Sequence, residues 1–125
     1  MSRKRILIAD DDDSIREIAS ATIELTTDWD VVTASCGKEA LEVALRSLPD
    51  AILLDVMMPD MDGPTTFAHL QADARTSPIP VILLTAKVHT ADRQRYTRIG
   101  VQGVIAKPFD PMTLAMSIGA LLRWS

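Results

Sequence analysis

The sequence predicts a doubly wound α/β domain built on one parallel sheet, and three observations carry that prediction. Five short runs rich in Ile, Leu and Val recur along 125 residues. Their hydrophobicity is largely continuous rather than alternating, as a sheet covered on both faces demands. The gaps between them are long enough for the crossover helices that parallel strands require.

The first run, Ile6 to Ala9, stops at four consecutive aspartates, Asp10 to Asp13. Behind them Ile15, Ile18, Thr22 and Leu25 recur at helical spacing and predict the apolar face of a first helix. Asp12 and Asp13 suit its start, because aspartate accepts from free N–H groups and favours the helix dipole there. Val31 to Ala34 reads as the second strand, followed by a helix with Ala40, Leu41, Ala44, Leu45 and Leu48 on one face. Cys36 reads as a small apolar residue near that helix's start. The third strand, Ala51 to Leu54, precedes a helix announced by Asp62 as N-cap with Gly63-Pro64 in its first turn, and Ser77-Pro78 and Pro80 close that connection. After the fourth strand, Val81 to Leu84, a weakly amphipathic helix from Thr90 to Arg98 carries more basic than apolar residues. Val104 to Ala106 is the fifth strand, and Leu114, Ile118, Leu121 and Leu122 line the last helix. With right-handed crossovers these elements form one layer of sheet between two layers of helix. We read a single domain over residues 1–125, with no repeat, linker or separate output domain.

Composition narrows the function classes. Hydrophobic residues make up 47% and charged residues 24%, the balance of a soluble globular chain. A formal net charge of -4 without a Lys/Arg stripe disfavours direct nucleic-acid binding. A single cysteine excludes an internal disulfide and a Cys-rich zinc site, and fits a cytoplasmic location. The basic start Met1 to Arg5 and the run Ile6 to Ala9 imitate a leader, but the aspartates end the run too early for export. No stretch is long and apolar enough to span a bilayer.

In open parallel sheets ligands bind outside the carboxyl ends of the strands, so the residues just after each run come first. Asp10 and Asp11 follow the first strand, Asp55 the third, Thr85 the fourth, and Lys107-Pro108 the fifth. Clustered carboxylates raise one another's pKa unless a cation neutralises them. Mg²⁺, which takes oxygen ligands and keeps several waters, suits Asp10, Asp11 and Asp55, and Mn²⁺ is an acceptable substitute. Beside that metal Asp55 is a candidate nucleophile toward phosphorus, with the Lys107 ammonium and Thr85 hydroxyl placed for phosphoryl oxygens.

The segments Ile8-Ala9-Asp10-Asp11-Asp12, Leu53 through Gly63, Leu84-Thr85-Ala86 and Val104 through Phe109 resemble the receiver domains of two-component response regulators. The resemblance spans essentially the whole chain, in order and at fitting spacing. It implies a flavodoxin-like fold with strand order 2-1-3-4-5 and five helices. It implies that Asp55 is the phosphoacceptor, that Asp10 and Asp11 bind Mg²⁺, and that the backbone carbonyl of Met57 completes the metal site. Thr85 matches the switch hydroxyl and Lys107 the signature lysine, with a cis peptide to Pro108. The implied phosphodonor is a sensor histidine kinase or a histidine phosphotransfer protein, small donors such as acetyl phosphate also serving. A downstream protein target is implied as well, and the state is a monomer or a phosphorylation-dependent homodimer. Such a domain is not an enzyme on other substrates; it catalyses only its own phosphorylation and dephosphorylation.

Two positions depart from the family pattern. Val104 stands where an aromatic switch residue is usual, and Val56 follows Asp55 where a tryptophan would report phosphorylation, which leaves Trp29 and Trp124 as poor reporters. His89 reads as a surface residue and His69 has no metal-spaced partner, while Met57, Met58 and Met61 read as loop packing or an adaptable contact surface, packing being favoured. An EF-hand reading of the aspartates fails for lack of the central glycine and terminal glutamate. A phosphatase of the haloacid dehalogenase type could use Asp10-Asp11-Asp12, but it lacks the further acidic pair and leaves Asp55 unexplained. A degenerate receiver acting only as an interaction module is the third reading. Phosphorelay shuttle and freestanding regulator stay equally open. For the regulator, the responsive face is expected to include Arg93, Arg95, Val104 and Leu114.

Overall fold

The computed structural model describes residues 3–86 and 89–124; Met1 and Ser2 of the leader-like start lie outside them. Ten elements alternate along the chain: β1 (Arg5–Ala9), α1 (Asp13–Thr26), β2 (Asp30–Ala34), α2 (Gly37–Ser47), β3 (Ala51–Asp55), α3 (Gly63–Ala72), β4 (Val81–Thr85), α4 (Thr90–Ile99), β5 (Gly103–Ala106) and α5 (Leu114–Leu122). All strand pairs are parallel, in the order β2-β1-β3-β4-β5. The predicted fold and strand order are those observed.

Period-two alternation within each strand divides the interior into two cores. Leu7, Ile52, Leu54 and Leu83 point to one face, where Ala40, Val43 and Ala44 of α2, Phe67 and Leu70 of α3 and Tyr96 of α4 cover them. Ile6, Ile8, Leu53, Ile82 and Leu84 point to the other, against Ala19 and Ile23 of α1 and Leu114 and Ile118 of α5. The three central strands are buried along almost their whole length, which accounts for their unbroken apolar sequence.

Three packing expectations are corrected. On α1 the buried residues are Ala19 and Ile23, whereas Ile18 and Leu25 are exposed; a stripe through Ile15, Ala19 and Ile23 meets the sheet, one helical position away from the more hydrophobic alternative. On α2, Val43 is buried while Leu45 and Leu48 are exposed, and Leu48 is the left-handed C-cap at φ 44°. Leu114 is fully buried under the sheet and therefore belongs to no solvent-facing surface. The basic helix α4 buries only Tyr96, as its composition predicts, and ends at Gly100 with φ 109°, where a side chain would be strained.

Tight backbone approach fixes the loop after β3. Gly63 N–H donates to Val56 O at 2.8 Å, and a Cβ at Gly63 would lie 2.7 Å from Asp55 O and 2.9 Å from Val56 Cα. Neither neighbour is a side chain able to swing away. Gly63→Ala is expected to cost about 1–3 kcal/mol of folding stability and to displace the backbone at Asp55. Urea denaturation of the variant checks the first effect, and amide shifts at residues 55–57 the second.

Candidate functional site

The carboxyl rim of the sheet brings together side chains that are distant in sequence. Asp10 follows β1 directly and its N–H still donates to Ala34 O of β2 at 3.1 Å, so the residue is held as an extension of the ladder. It is fully buried. Its Oδ1 accepts from Asp12 N at 2.9 Å, and its carbonyl accepts from Arg16 Nη1 at 2.6 Å. Asp12 in turn caps α1, accepting from Ser14 N at 2.9 Å and Ile15 N at 3.4 Å. Arg16 also pairs with Asp13, so the first turn of α1 grips the acidic loop from both sides. Asp11 remains exposed at the mouth.

Asp55 is the last residue of β3 and only 2% exposed. Its Oδ1 accepts a long hydrogen bond from Met57 N at 3.4 Å. Lys107 comes off the end of β5, where its N–H donates to Thr85 O at 2.9 Å, and its bond to Pro108 is cis. Its Nζ reaches Asp10 Oδ2 at 2.9 Å and Asp55 Oδ1 at 3.1 Å. Thr85, buried at the end of β4, pairs with Ala106 beside it.

The cluster is electrostatically unfinished. Burial, then the charge of Asp10, lifts the Asp55 carboxyl from 3.8 to about 6, against the opposing pull of Lys107 and the Met57 N–H. Burial pulls the Lys107 ammonium down, but hydrogen bonds and charge from Asp10 and Asp55 outweigh it and hold the pKa above its ordinary value. Asp55 Oδ2 is buried with no hydrogen-bond partner among the described residues, whereas Asp10 Oδ2 is met by the Lys107 ammonium at 2.9 Å. Asp10, Asp11 and Asp55 each offer a carboxylate oxygen within 4.8 Å of the others. Oxygen-only donors, excess negative charge and an unmet buried oxygen fit a hard divalent cation.

Asp10, Asp11, Asp55, Thr85 and Lys107 thus share one rim, as expected. Met57 meets Asp55 through its backbone N–H, but its side chain is 68% exposed, so of the three methionines read as packing it is Met58 that enters the core. Val104 sits away from the carboxylates, paired with Leu83 and packed on the core beneath α4. Three contributors escape a reading by spacing. Arg16 acts on a carbonyl six residues earlier, its pairing with Asp13 being the one local hint. Asp60 accepts from Gly37 N at 3.0 Å and Lys38 N at 2.9 Å, capping α2 from the loop after β3. Cys36 is the N-cap of α2, its Sγ accepting from Glu39 N at 3.4 Å. The Asp60 contact depends on how α2 meets the β3–α3 loop, whereas the Cys36 cap is local to α2.

Because the folded state holds the Asp55 proton more tightly than an unfolded chain does, Asp55 is harmless to stability below about pH 4. Above that, stability falls as pH rises through about 6, because the folded state must give up a proton that it holds more tightly than the unfolded chain does. Asp55→Asn is therefore expected to be more stable than the wild type at pH 7, by roughly 2–3 kcal/mol. Denaturation of both proteins from pH 4 to 8 should show the difference opening across that window and level above it.

Comparison with known proteins agrees with this geometry. The sequence profile of the response regulator receiver domain matches residues 6–118. The chain is 38% identical over 119 residues to the DNA-binding dual master transcriptional regulator RpaA of Synechocystis, covering 95% of this chain and 49% of that protein. It is 40% identical over 121 residues to the response regulator PleD of Caulobacter vibrioides, covering 96% and 26% respectively. Among solved structures, the chemotaxis response regulator CheY4 of Vibrio cholerae superposes with a TM-score of 0.89 at 30% identity, over 96% of this chain and 99% of that one. The chain spans about half the length of several curated relatives that it matches. With the strand order, the acidic rim and the lysine that bridges it in agreement, the chain belongs to the response regulator receiver domain family, the regulatory phosphoacceptors of phosphorelay signalling.

Proposed function

We propose that Asp55 accepts a phosphoryl group from a phosphohistidine, carried by a sensor histidine kinase or a histidine phosphotransfer protein. The observation that carries this reading is the meeting of Asp10, Asp55 and Lys107 within 3.1 Å contacts at the rim. In the transfer the donor's P–N bond breaks, its electron pair returns to the imidazole, and a bond forms from an Asp55 carboxylate oxygen to phosphorus. Asp10, Asp11, Asp55 and the Met57 carbonyl would hold Mg²⁺, or Mn²⁺ in its place, which would supply charge neutralisation for the reacting oxygens. Lys107 keeps its ammonium on the phosphoryl group, and the Thr85 hydroxyl donates to a second phosphoryl oxygen. Beside Lys107 an apolar groove of about 350 Å³, lined by Ile15, Ile18, Pro108, Phe109 and Pro111, gives the donor an edge to dock on. This is the use of Ile18's exposure.

The new charge shifts the population between two surface states, carried from Thr85 to the β5 edge and α4. Val104 has no ring to swing, so the shift moves through backbone and packing at Val104 rather than through an aromatic rotation. Arg93 and Arg95 of α4 are both exposed. The output is binding of a downstream protein, or onward transfer to another histidine, with the domain acting as a regulator in the cytoplasm. No helix of the described residues is long and apolar enough to cross a membrane.

Intact-protein mass spectrometry after treatment with acetyl phosphate and Mg²⁺ tests the acceptor. Wild type gains one phosphoryl mass, Asp55→Ala gains none, and Asp10→Ala labels weakly because it loses the metal. Label on Asp10, with turnover of many substrates, would instead establish the phosphatase reading.

A beryllofluoride phosphoryl mimic with Mg²⁺ tests the switch. Amide resonances of Thr85, Arg93, Arg95 and Val104 are expected to move, and an unchanged spectrum there rules the shift out. Tryptophan emission is expected to stay constant. Trp29 and Trp124 stack edge to face at 4.9 Å beside the start of β2, at the end of the sheet opposite Asp55.

A further inference from the structure

Of the acids grouped at the rim, two have their carboxylates held in place: Asp10 by Asp12 N at 2.9 Å and Lys107 Nζ at 2.9 Å, and Asp55 by Lys107 Nζ at 3.1 Å. Asp11 is exposed, and its side chain makes no hydrogen bond or ion pair among the described residues. One of its carboxylate oxygens nevertheless lies within 4.8 Å of ligand oxygens on the other two. The direction of that carboxylate is therefore set by the backbone that carries it.

The peptide joining Asp10 to Asp11 is planar, so whatever fixes the Asp10 carbonyl also fixes the point from which Asp11 departs. Arg16 fixes it. Its Nη1 donates to Asp10 O at 2.6 Å, its Nη2 pairs with Asp13, and the side chain is only 18% exposed. Because the guanidinium is planar, the two arms hold the carbonyl in a set direction from a helix turn that Asp12 caps. Ala34 O takes the Asp10 N–H, so the turn out of β1 is held on both sides of Asp10.

Charge and geometry have opposite consequences here. A guanidinium beside an acidic cluster repels a divalent cation, so on Coulomb grounds its removal tightens cation binding. An aiming role has the reverse sign, since losing a group that orients metal ligands weakens affinity about 10- to 100-fold. We infer that Arg16 is a positioning residue of the cation site, holding the Asp10–Asp11 peptide so that the Asp11 carboxylate faces the ion that Asp10 and Asp55 would share. The inference rests on the metal-assisted phosphoacceptor reading and adds to it the group that aims its most exposed acid.

Calorimetric titration of the full chain with MgCl₂, without phosphodonor, separates the two signs. Arg16→Met, which keeps the reach and loses both arms, is expected to raise the Mg²⁺ dissociation constant about tenfold. Arg16→Lys, which keeps the charge and one donor but not the fork, is expected to fall between Arg16→Met and the wild type. Asp13→Asn weakens the outer arm alone. Asp13 is exposed, so Mg²⁺ affinity is expected to stay within about twofold of the wild type even where the melting temperature falls. Melting curves confirm that each variant is folded at the titration temperature. An Arg16→Met protein that binds Mg²⁺ as tightly as the wild type, or more tightly, overturns the inference and leaves the phosphoacceptor reading intact. An Asp13→Asn protein that loses as much affinity as Arg16→Met also overturns it, because the effect then comes from the stability of α1. A wild type that binds no Mg²⁺ and gains no mass from acetyl phosphate overturns the reading itself, and the inference with it.

Discussion

The rim of this protein is organised around one interaction: a single ammonium, Lys107, between two buried carboxylates, Asp10 and Asp55. Removing charges from water is expensive, and such a group persists only where opposite charge and hydrogen bonds meet it. Here one cation faces two anions, so the balance is left negative. The raised pKa of Asp55 and the unmet Oδ2 are two expressions of that deficit. A site in this condition gains from each further positive charge, which is why the geometry suits a hard divalent cation.

Much of the surrounding structure exists to hold those three groups in register. Parallel pairing aligns the ends of β1, β3, β4 and β5, so that residues following four separate strands emerge on one side. Arg16 and Asp12 tie the acidic loop to the start of α1. Gly63 lets α3 begin directly against the Asp55 backbone. Asp60, one turn of loop away, anchors α2 to the same segment. A mobile site would dilute the electrostatics, since charge stabilisation of this kind depends on donors and acceptors being fixed before reaction.

The order of strands and helices, and the placing of Asp10, Asp11, Asp55, Thr85 and Lys107 at the strand ends, were all legible in the sequence. Each is written as an apolar run followed by a particular polar residue, and β-sheet chemistry is local enough for that pattern to survive. Less legible were the faces of the amphipathic helices. Ile18 and Leu25 are more hydrophobic than Ala19, yet Ala19 is the residue beneath the sheet. A small side chain was selected by the closeness of helix to strand, a distance that no periodicity encodes. Leu114 shows the complementary case, a residue assigned to a responsive surface that the helix turns into the core.

What the sequence determined by itself is the set of elements and the chemistry at their ends, because burial periodicity and strand termini depend on residues close along the chain. Only the tertiary structure decided which oxygens Lys107 contacts, which helix Asp60 caps, and how far Asp55 is withdrawn from water. Those quantities arise between segments tens of residues apart. Electrostatic energy at such a site turns on ångström separations and on solvent exclusion, and both exist only once the chain has folded.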